Sequence, residues 1–237
     1  MIEVLPAIIP KSFANLKETL EKVIPYSSLV QIDAVDGVFV PAKMWPYGGI
    51  SDIDFTKIIN EEEGFPFWEQ IDFEADLMVS EPEKKVWDWI KAGAKSVILH
   101  IESSKNIPSL VDELKKNAPV KESPFYVGLG IALNTETPNE TIYPFIDSGK
   151  VDFIQCMGIA KIGFQGQPFD ERVLAKISDF RKRYPNIIIA VDGAVNLETA
   201  PRLVKAGANK LISGSAILES GDIMETIKKL RESGKVN

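Results

Sequence analysis

The sequence predicts a single-domain α/β protein over residues 1–237, folded as a (β/α)8 TIM barrel. Three observations lead there. Eight short apolar runs, rich in β-branched residues, alternate with segments whose apolar positions recur at helical spacing. A chain of 237 residues lies in the range where such a barrel stays one domain. Acids and glycines gather directly after the strand-like runs, on what would be one face of a barrel. A doubly wound open sheet shares the alternation and is the alternative architecture.

The run Leu29-Val30-Gln31-Ile32-Asp33-Ala34-Val35-Asp36-Gly37 organises the rest. Its apolar character reads as a parallel strand buried on both faces. An unpaired carboxylate there costs several kcal/mol, so Asp33 must be paired, protonated, bound to a cation or placed at the mouth of a site. The first strand is expected over residues 4–9 and ends at Pro10. Ser12 then caps a helix carrying Phe13, Leu16, Leu20, Val23 and Ile24. A long connection over about residues 38–70 follows the second strand, with a short helix at 53–59. Its aromatic residues Trp45, Tyr47, Phe65, Phe67 and Trp68 suit a lid or a subunit contact, and a homo-oligomer is expected.

The third strand spans 71–78 and carries Glu74 and Asp76, and Ser80-Glu81-Pro82 opens a helix that stops at Gly93. Strands at 96–101, 127–133 and 152–157 alternate with helices at about 108–117 and 141–148. A glycine-rich loop over 158–169 leads into a helix through Tyr184. The seventh strand, 187–191, ends in Asp192-Gly193-Ala194, and Asn196 caps the next helix. The eighth strand, 210–212, opens onto Ser213-Gly214-Ser215-Ala216, and a last helix covers 222–231.

Charge and cysteine usage narrow the function classes. With 34 acidic against 27 basic residues, a net charge of -7 and no basic run interleaved with aromatics, no nucleic-acid partner is expected. No apolar run is long enough to span a bilayer, so no membrane partner is expected. The single cysteine, Cys156, excludes an internal disulfide and a cysteine-based zinc cluster. Residues 1–4 run straight into strand-like sequence without a basic or cleavable leader, and a cytoplasmic location is expected.

The strand ends of a barrel converge. Gln31, Asp33, Asp76, His100, Glu102, Asn134, Met157 and Asp192 are therefore expected around one centre, with Met78 and Met157 as its floor and His100 and Asn134 in its lining. His100, in an apolar strand, reads as a supporting rather than a reacting group. Gly163, Gly166, Gly193, Gly214 and Ser215 let backbone N–H groups approach an anion, and phosphate sites of barrels lie on the loops after strands seven and eight. The same glycines also serve tight turns.

Read as a set, Asp33-Ala34-Val35-Asp36-Gly37 with Phe39-Val40-Pro41, Asp76-Leu77-Met78, His100-Ile101-Glu102, Ala132-Leu133-Asn134, Gly163-Phe164-Gln165-Gly166-Gln167, Val191-Asp192-Gly193 and Gly214-Ser215-Ala216-Ile217 resemble the ribulose-phosphate 3-epimerase family. The similarity runs over about residues 4–218. It implies an isomerase that epimerises a phosphorylated ketose at the carbon beside the ketone, with Asp33 and Asp192 removing and returning the proton. It implies a phosphate held at Gly163, Gly166, Gly193, Ala194, Gly214 and Ser215. It also implies a metal site at Gln31, Asp33, Asp76 and Asp192, where Gln31 and Asp76 stand in place of the family's histidines. An amide oxygen and three carboxylates suit magnesium or manganese better than zinc. Without a metal, one carboxyl would be held protonated instead.

Other departures are Ala7 in place of a family serine, the missing Asn-Pro before Gly163 in a segment one residue longer, and the long connection after Pro41. A non-catalytic sugar-phosphate-binding relative, and an epimerase or lyase for another phosphosugar, are the alternatives. The Asp-x-Lys-x-x-Asp pattern of the orotidine-phosphate decarboxylase group is absent, since Val35 occupies the lysine position.

Overall fold

In the computed structural model, which describes residues 2–49, 53–117, 119, 121, 123–163 and 166–235, eight parallel strands close into a barrel in chain order. They are β1 (Glu3–Ile8), β2 (Leu29–Val35), β3 (Asp72–Met78), β4 (Ser96–His100), β5 (Gly128–Leu133), β6 (Phe153–Met157), β7 (Ile188–Asp192) and β8 (Lys210–Ser213). The helices between them are α1 (Phe13–Val23), α2 (Ile53–Ile59), α3 (Val86–Lys91), α4 (Ile107–Asn117), α5 (Tyr143–Asp147), α6 (Arg172–Arg183), α7 (Ala200–Ala206), α8 (Ser215–Leu218) and α9 (Ile223–Glu232). None is long and apolar enough to cross a membrane.

Alternation along each strand sorts the residues. Outward residues such as Val30, Ile32, Leu77, Leu99 and Ile131 join Leu16, Leu20, Trp89 and Phe180 of the helices in the main core. Inward residues form smaller clusters, Ile98 with Ala132, Phe153 and Ala190, and Leu5 with Ala7 and Ile212. At the amino-terminal end of the barrel Lys210 Nζ lies 2.6 Å from both Glu74 oxygens and 4.5 Å from the centre of the Phe153 ring. Burial raises the Glu74 carboxyl even though Lys210 pulls it down.

Local chemistry sets several boundaries. Ser12 Oγ accepts the Asn15 N–H at 3.1 Å and starts α1, as its position predicted. Asp222 does the same for α9. The helix expected to open at Ser80 is delayed: Glu81 takes a left-handed φ of 49°, a 3-10 turn spans Pro82–Lys84, and α3 begins at Val86. The cause is Asp36, whose Oδ2 accepts both the N–H and the hydroxyl of Ser80. Asn196 Oδ1 accepts from the Glu198 and Thr199 N–H groups and so caps a turn that precedes α7 rather than the helix itself. The short helix α8 was not expected.

Most of the connection's aromatics lie on the outer wall rather than in a lid, while Phe39, Val40 and Met44 pack with Met78, Met157 and Ile162 at the carboxyl end of the barrel. Trp45 is buried among Phe13, Phe55 and Trp89, with ring centroids 5.7, 5.4 and 6.1 Å away. Tyr47 accepts a hydrogen bond from Trp89 Nε1, Phe65 stacks on Phe73 at 4.1 Å, and Phe67 packs against the same core. Trp68 alone of the five is largely exposed, at 64%. Burying this much aromatic surface on the outer wall fastens the connection to the barrel.

A candidate active site at the carboxyl ends of the strands

Asp33, Asp76 and Asp192, from β2, β3 and β7, each bring an oxygen within 4.8 Å of the other two. All three are buried, and no lysine or arginine pairs with them among the described residues. Burial, then the charges of Asp192 and Asp76, raise the Asp33 carboxyl well above the usual range, against a hydrogen bond from Gln31. Burial and the neighbouring Asp76 likewise push Asp192 up to about 7, although His100, the Gly193 N–H and Gln31 pull the other way. Three acids this close cannot all carry bare charge at neutral pH, so they must hold protons or a cation.

The neighbouring side chains are polar too. Gln31 Nε2 donates to Asp33 Oδ1 at 2.9 Å, which leaves Gln31 Oε1 buried without a partner. His100 Nε2 lies 3.1 Å from Asp76 Oδ1, and Gln155 Nε2 donates to Asp76 Oδ2 at 3.1 Å. Burial works against a charged His100, but Asp76 beside it carries the imidazole above its ordinary value. The donor set fits a hard divalent ion: three carboxylates plus one orphaned amide oxygen are all-oxygen ligands, and among the described residues no cysteine or histidine joins the three acids as a candidate ligand.

Above the acids lies a cavity of about 490 Å³. Asp33, Asp192, Met78 and Met157 line it from below, and Gly163, Gly166, Gly193, Ala194, Gly214 and Ser215 from the side. Gln31, Asp76 and His100 are not in its wall, being fully buried. Asn134 is not in the wall either: β5 ends at Leu133, and the Asn134 N–H turns away to Glu102 at 2.8 Å. Phe164 and Gln165 of the glycine-rich motif lie outside the described residues.

Close backbone packing shapes the rim. A Cβ on Gly158 would sit 2.2 Å from the Gly193 carbonyl oxygen, and the Gly158 N–H donates to the Asp192 carbonyl at 2.7 Å. The loops after β6 and β7 therefore touch through bare backbone. Gly193 and Ala194 follow with φ of 98° and 53°. Asp36 fastens the start of the loop after β2: its Oδ1 accepts the Val38 and Phe39 N–H groups, and its Oδ2 takes Lys85 Nζ at 2.6 Å besides Ser80. Burial alone would raise this carboxyl, yet Lys85 and the backbone donors bring it down to about 2. Phe39 thereby comes to lie with its ring centroid 5.5 Å from that of His100.

Sequence reasoning missed Gln155 in this assembly. Its signal was an amide inside an otherwise apolar strand, at an inward position between Phe153 and Met157. Also unforeseen was the outer rim, where Arg202 pairs with Glu171 and lies 5.3 Å over the Phe169 ring.

Known proteins bear on this arrangement. The solved 3-hexulose-6-phosphate synthase from Salmonella typhimurium shares the barrel, with a TM-score of 0.65 and 14% identity over 99% of both chains. Sequence likeness goes further. The ribulose-phosphate 3-epimerase of Bacillus subtilis is 30% identical over 239 residues, covering 98% of this chain and 100% of that protein. The chloroplastic ribulose-5-phosphate-3-epimerase of Arabidopsis thaliana is 32% identical over 239 residues, covering 98% of this chain and 77% of that protein. A family model matches residues 3–218, a span that runs from β1 to α8 and includes every acid of the cluster and every loop of the cavity rim. The chain belongs to the ribulose-phosphate 3 epimerase family.

Proposed function

We propose that the protein epimerises a phosphorylated ketose, a ketopentose 5-phosphate in the first instance, at the carbon beside the ketone. The observation that carries this reading is the pair Asp33 and Asp192, both raised by burial and both bordering the cavity beneath its glycine rim. A proton next to a carbonyl is weakly acidic, so its removal needs a base within reach and stabilisation of the charge that develops on oxygen. An ionised carboxylate on one face removes the proton, and a protonated carboxyl on the other returns one. Asp192, pushed up to about 7, supplies both forms near neutral pH, and Asp33 is raised in the same direction.

The backbone of Gly163, Gly166, Gly193, Ala194, Gly214 and Ser215 is assigned to the phosphate, which places the far end of the substrate at the rim and the reacting carbon over the acids. Asp33, Asp76, Asp192 and the free Oε1 of Gln31 would hold a divalent ion, magnesium or manganese rather than zinc. When bound, such an ion stabilises negative charge on the enediolate oxygens. Met78 and Met157 provide an apolar floor that keeps water from the reacting carbon. We also propose a homo-oligomer, and a reducing compartment such as the cytoplasm, consistent with one buried cysteine whose thiol burial pushes up to about 12.

The test is deuterium wash-in. Ribulose 5-phosphate is incubated with the protein in heavy water, with and without added magnesium, manganese, zinc or iron, and exchange at C3 is followed by NMR. Exchange that is lost in Asp33→Asn and in Asp192→Asn supports the assignment. Tight uptake of the sugar phosphate with no exchange under any metal sinks it and makes the protein a binder.

A further inference from the structure

Gln155 is fully buried, and nothing about packing explains an amide there. Its carbonyl oxygen has no hydrogen-bond partner, so the residue leaves half of its polar capacity unmet in the barrel interior. A leucine or methionine would fill the same volume without that cost. The surroundings are arranged to let the side chain cross the barrel. Its in-register neighbours are Ala132 on β5 and Ala190 on β7, both short, and the amide passes from β6 to reach Asp76 on β3.

At Asp76 it completes a pair of donors. His100 Nε2 takes Oδ1 and Gln155 Nε2 takes Oδ2, each at 3.1 Å, so the carboxylate is held from both sides. Since a carboxylate only accepts, both nitrogens act as donors, and each Asp76 oxygen keeps a second lone pair. One of those oxygens lies within 4.8 Å of the Asp33 and Asp192 carboxylates. Ligands that are held by hydrogen bonds behind them present fixed lone pairs, and removing such support costs 10–100-fold in metal affinity in known sites.

We propose that Gln155 is a positioning residue: together with His100 it locks the Asp76 carboxylate in the orientation in which it shares a divalent cation with Asp33 and Asp192. The inference rests on the cation reading of the preceding section. It explains why a glutamine stands where an apolar residue would pack as well, and it makes a carboxylate at position 76 a rigid ligand rather than a free-turning one.

The experiment measures Mn2+ directly, by titration with electron paramagnetic resonance detection of free and bound ion, on the wild-type chain, Gln155→Leu and Gln155→Asn. Thermal melts of the metal-free proteins run beside it. The expected result is Mn2+ binding by the wild-type protein, weakened about 10–100-fold in Gln155→Leu, with a metal-free Tm unchanged or higher. Gln155→Asn, whose amide is one methylene too short, should weaken binding in the same direction, and it decides the matter if Gln155→Leu does not fold. Wild-type Mn2+ affinity in the folded variants, with a lowered Tm, overturns the proposal and leaves the cation reading standing. No Mn2+ binding by the wild-type protein overturns both.

Discussion

The two ends of the barrel interior treat buried carboxylates in opposite ways. At the amino-terminal end Glu74 has its own cation, Lys210, 2.6 Å from both oxygens and as buried as its partner. At the carboxyl end three aspartates crowd together, and no lysine or arginine answers them among the described residues. The first arrangement neutralises a charge within the fold. The second sets a single basic neighbour, His100 beside Asp76, against three acids among the described residues, leaves the remaining charge to be met by protons or a cation, and borders it with a cavity. Burial is therefore matched inside the chain where the residue serves structure and left unmatched where it serves a ligand.

That contrast breaks or holds on four measurements. The largest effect is kinetic. Asp33→Asn and Asp192→Asn should each lower C3 exchange by about 10²–10⁴-fold, the usual worth of a positioned acid or base, while the metal-free fold is retained or gains Tm. Loss of fold in both variants would place the acids on the structural side of the comparison. At the other end, Lys210→Met should cost about 3–5 kcal/mol in urea unfolding, because it strands Glu74. The double variant Lys210→Met with Glu74→Leu should recover most of that loss. A single variant as stable as the parent would show that the pair is not needed to balance Glu74.

A smaller effect is expected at the rim. Gly158→Ala places a methyl 2.2 Å from the Gly193 carbonyl oxygen, and the forced shift should cost about 1–3 kcal/mol and weaken ribulose 5-phosphate binding in calorimetry. Unchanged binding would detach the loop after β7 from the phosphate. The smallest effect is the pH dependence of Tm without metal. Asp33 and Asp192 have folded values raised above the unfolded ones, so the folded state holds more protons. Their contribution is present in acid and is lost as pH rises above about 4, for Asp192 through about 7, and added Mg2+ or Mn2+ should restore Tm at the upper end. Asp36, brought down to about 2, acts in the opposite sense, its contribution vanishing as pH falls from about 4 through 2. A metal-free Tm that climbs between pH 4 and 7 would contradict the raised aspartates.

Much of this was legible along the chain. The strand runs were readable because a strand buried on both faces must be apolar almost throughout, and carboxylates within such runs at Asp33 and Asp76 had to be exceptions with a reason. The cap at Ser12 was readable because it acts within one helical turn, whereas Asn196 was read as a helix cap and caps the turn before α7. Asn134 was read into the cavity lining because it follows a strand, yet the chain turns there toward Glu102. Gln155 was passed over because the residue that explains it is 79 positions away.

Sequence alone was enough to tell which segments are strands and that acids and glycines follow the strand ends, since these depend on patterns that repeat within a few residues. The closed barrel decided the rest. It set Asp33 beside Asp76 and Asp192, gave Asp76 its donors from β4 and β6, bound Asp36 to Ser80 and Lys85, and laid Trp45, Tyr47, Phe65 and Phe67 on the outer wall. Such contacts join groups tens of residues apart, and their partners are defined only when every strand has found its neighbours.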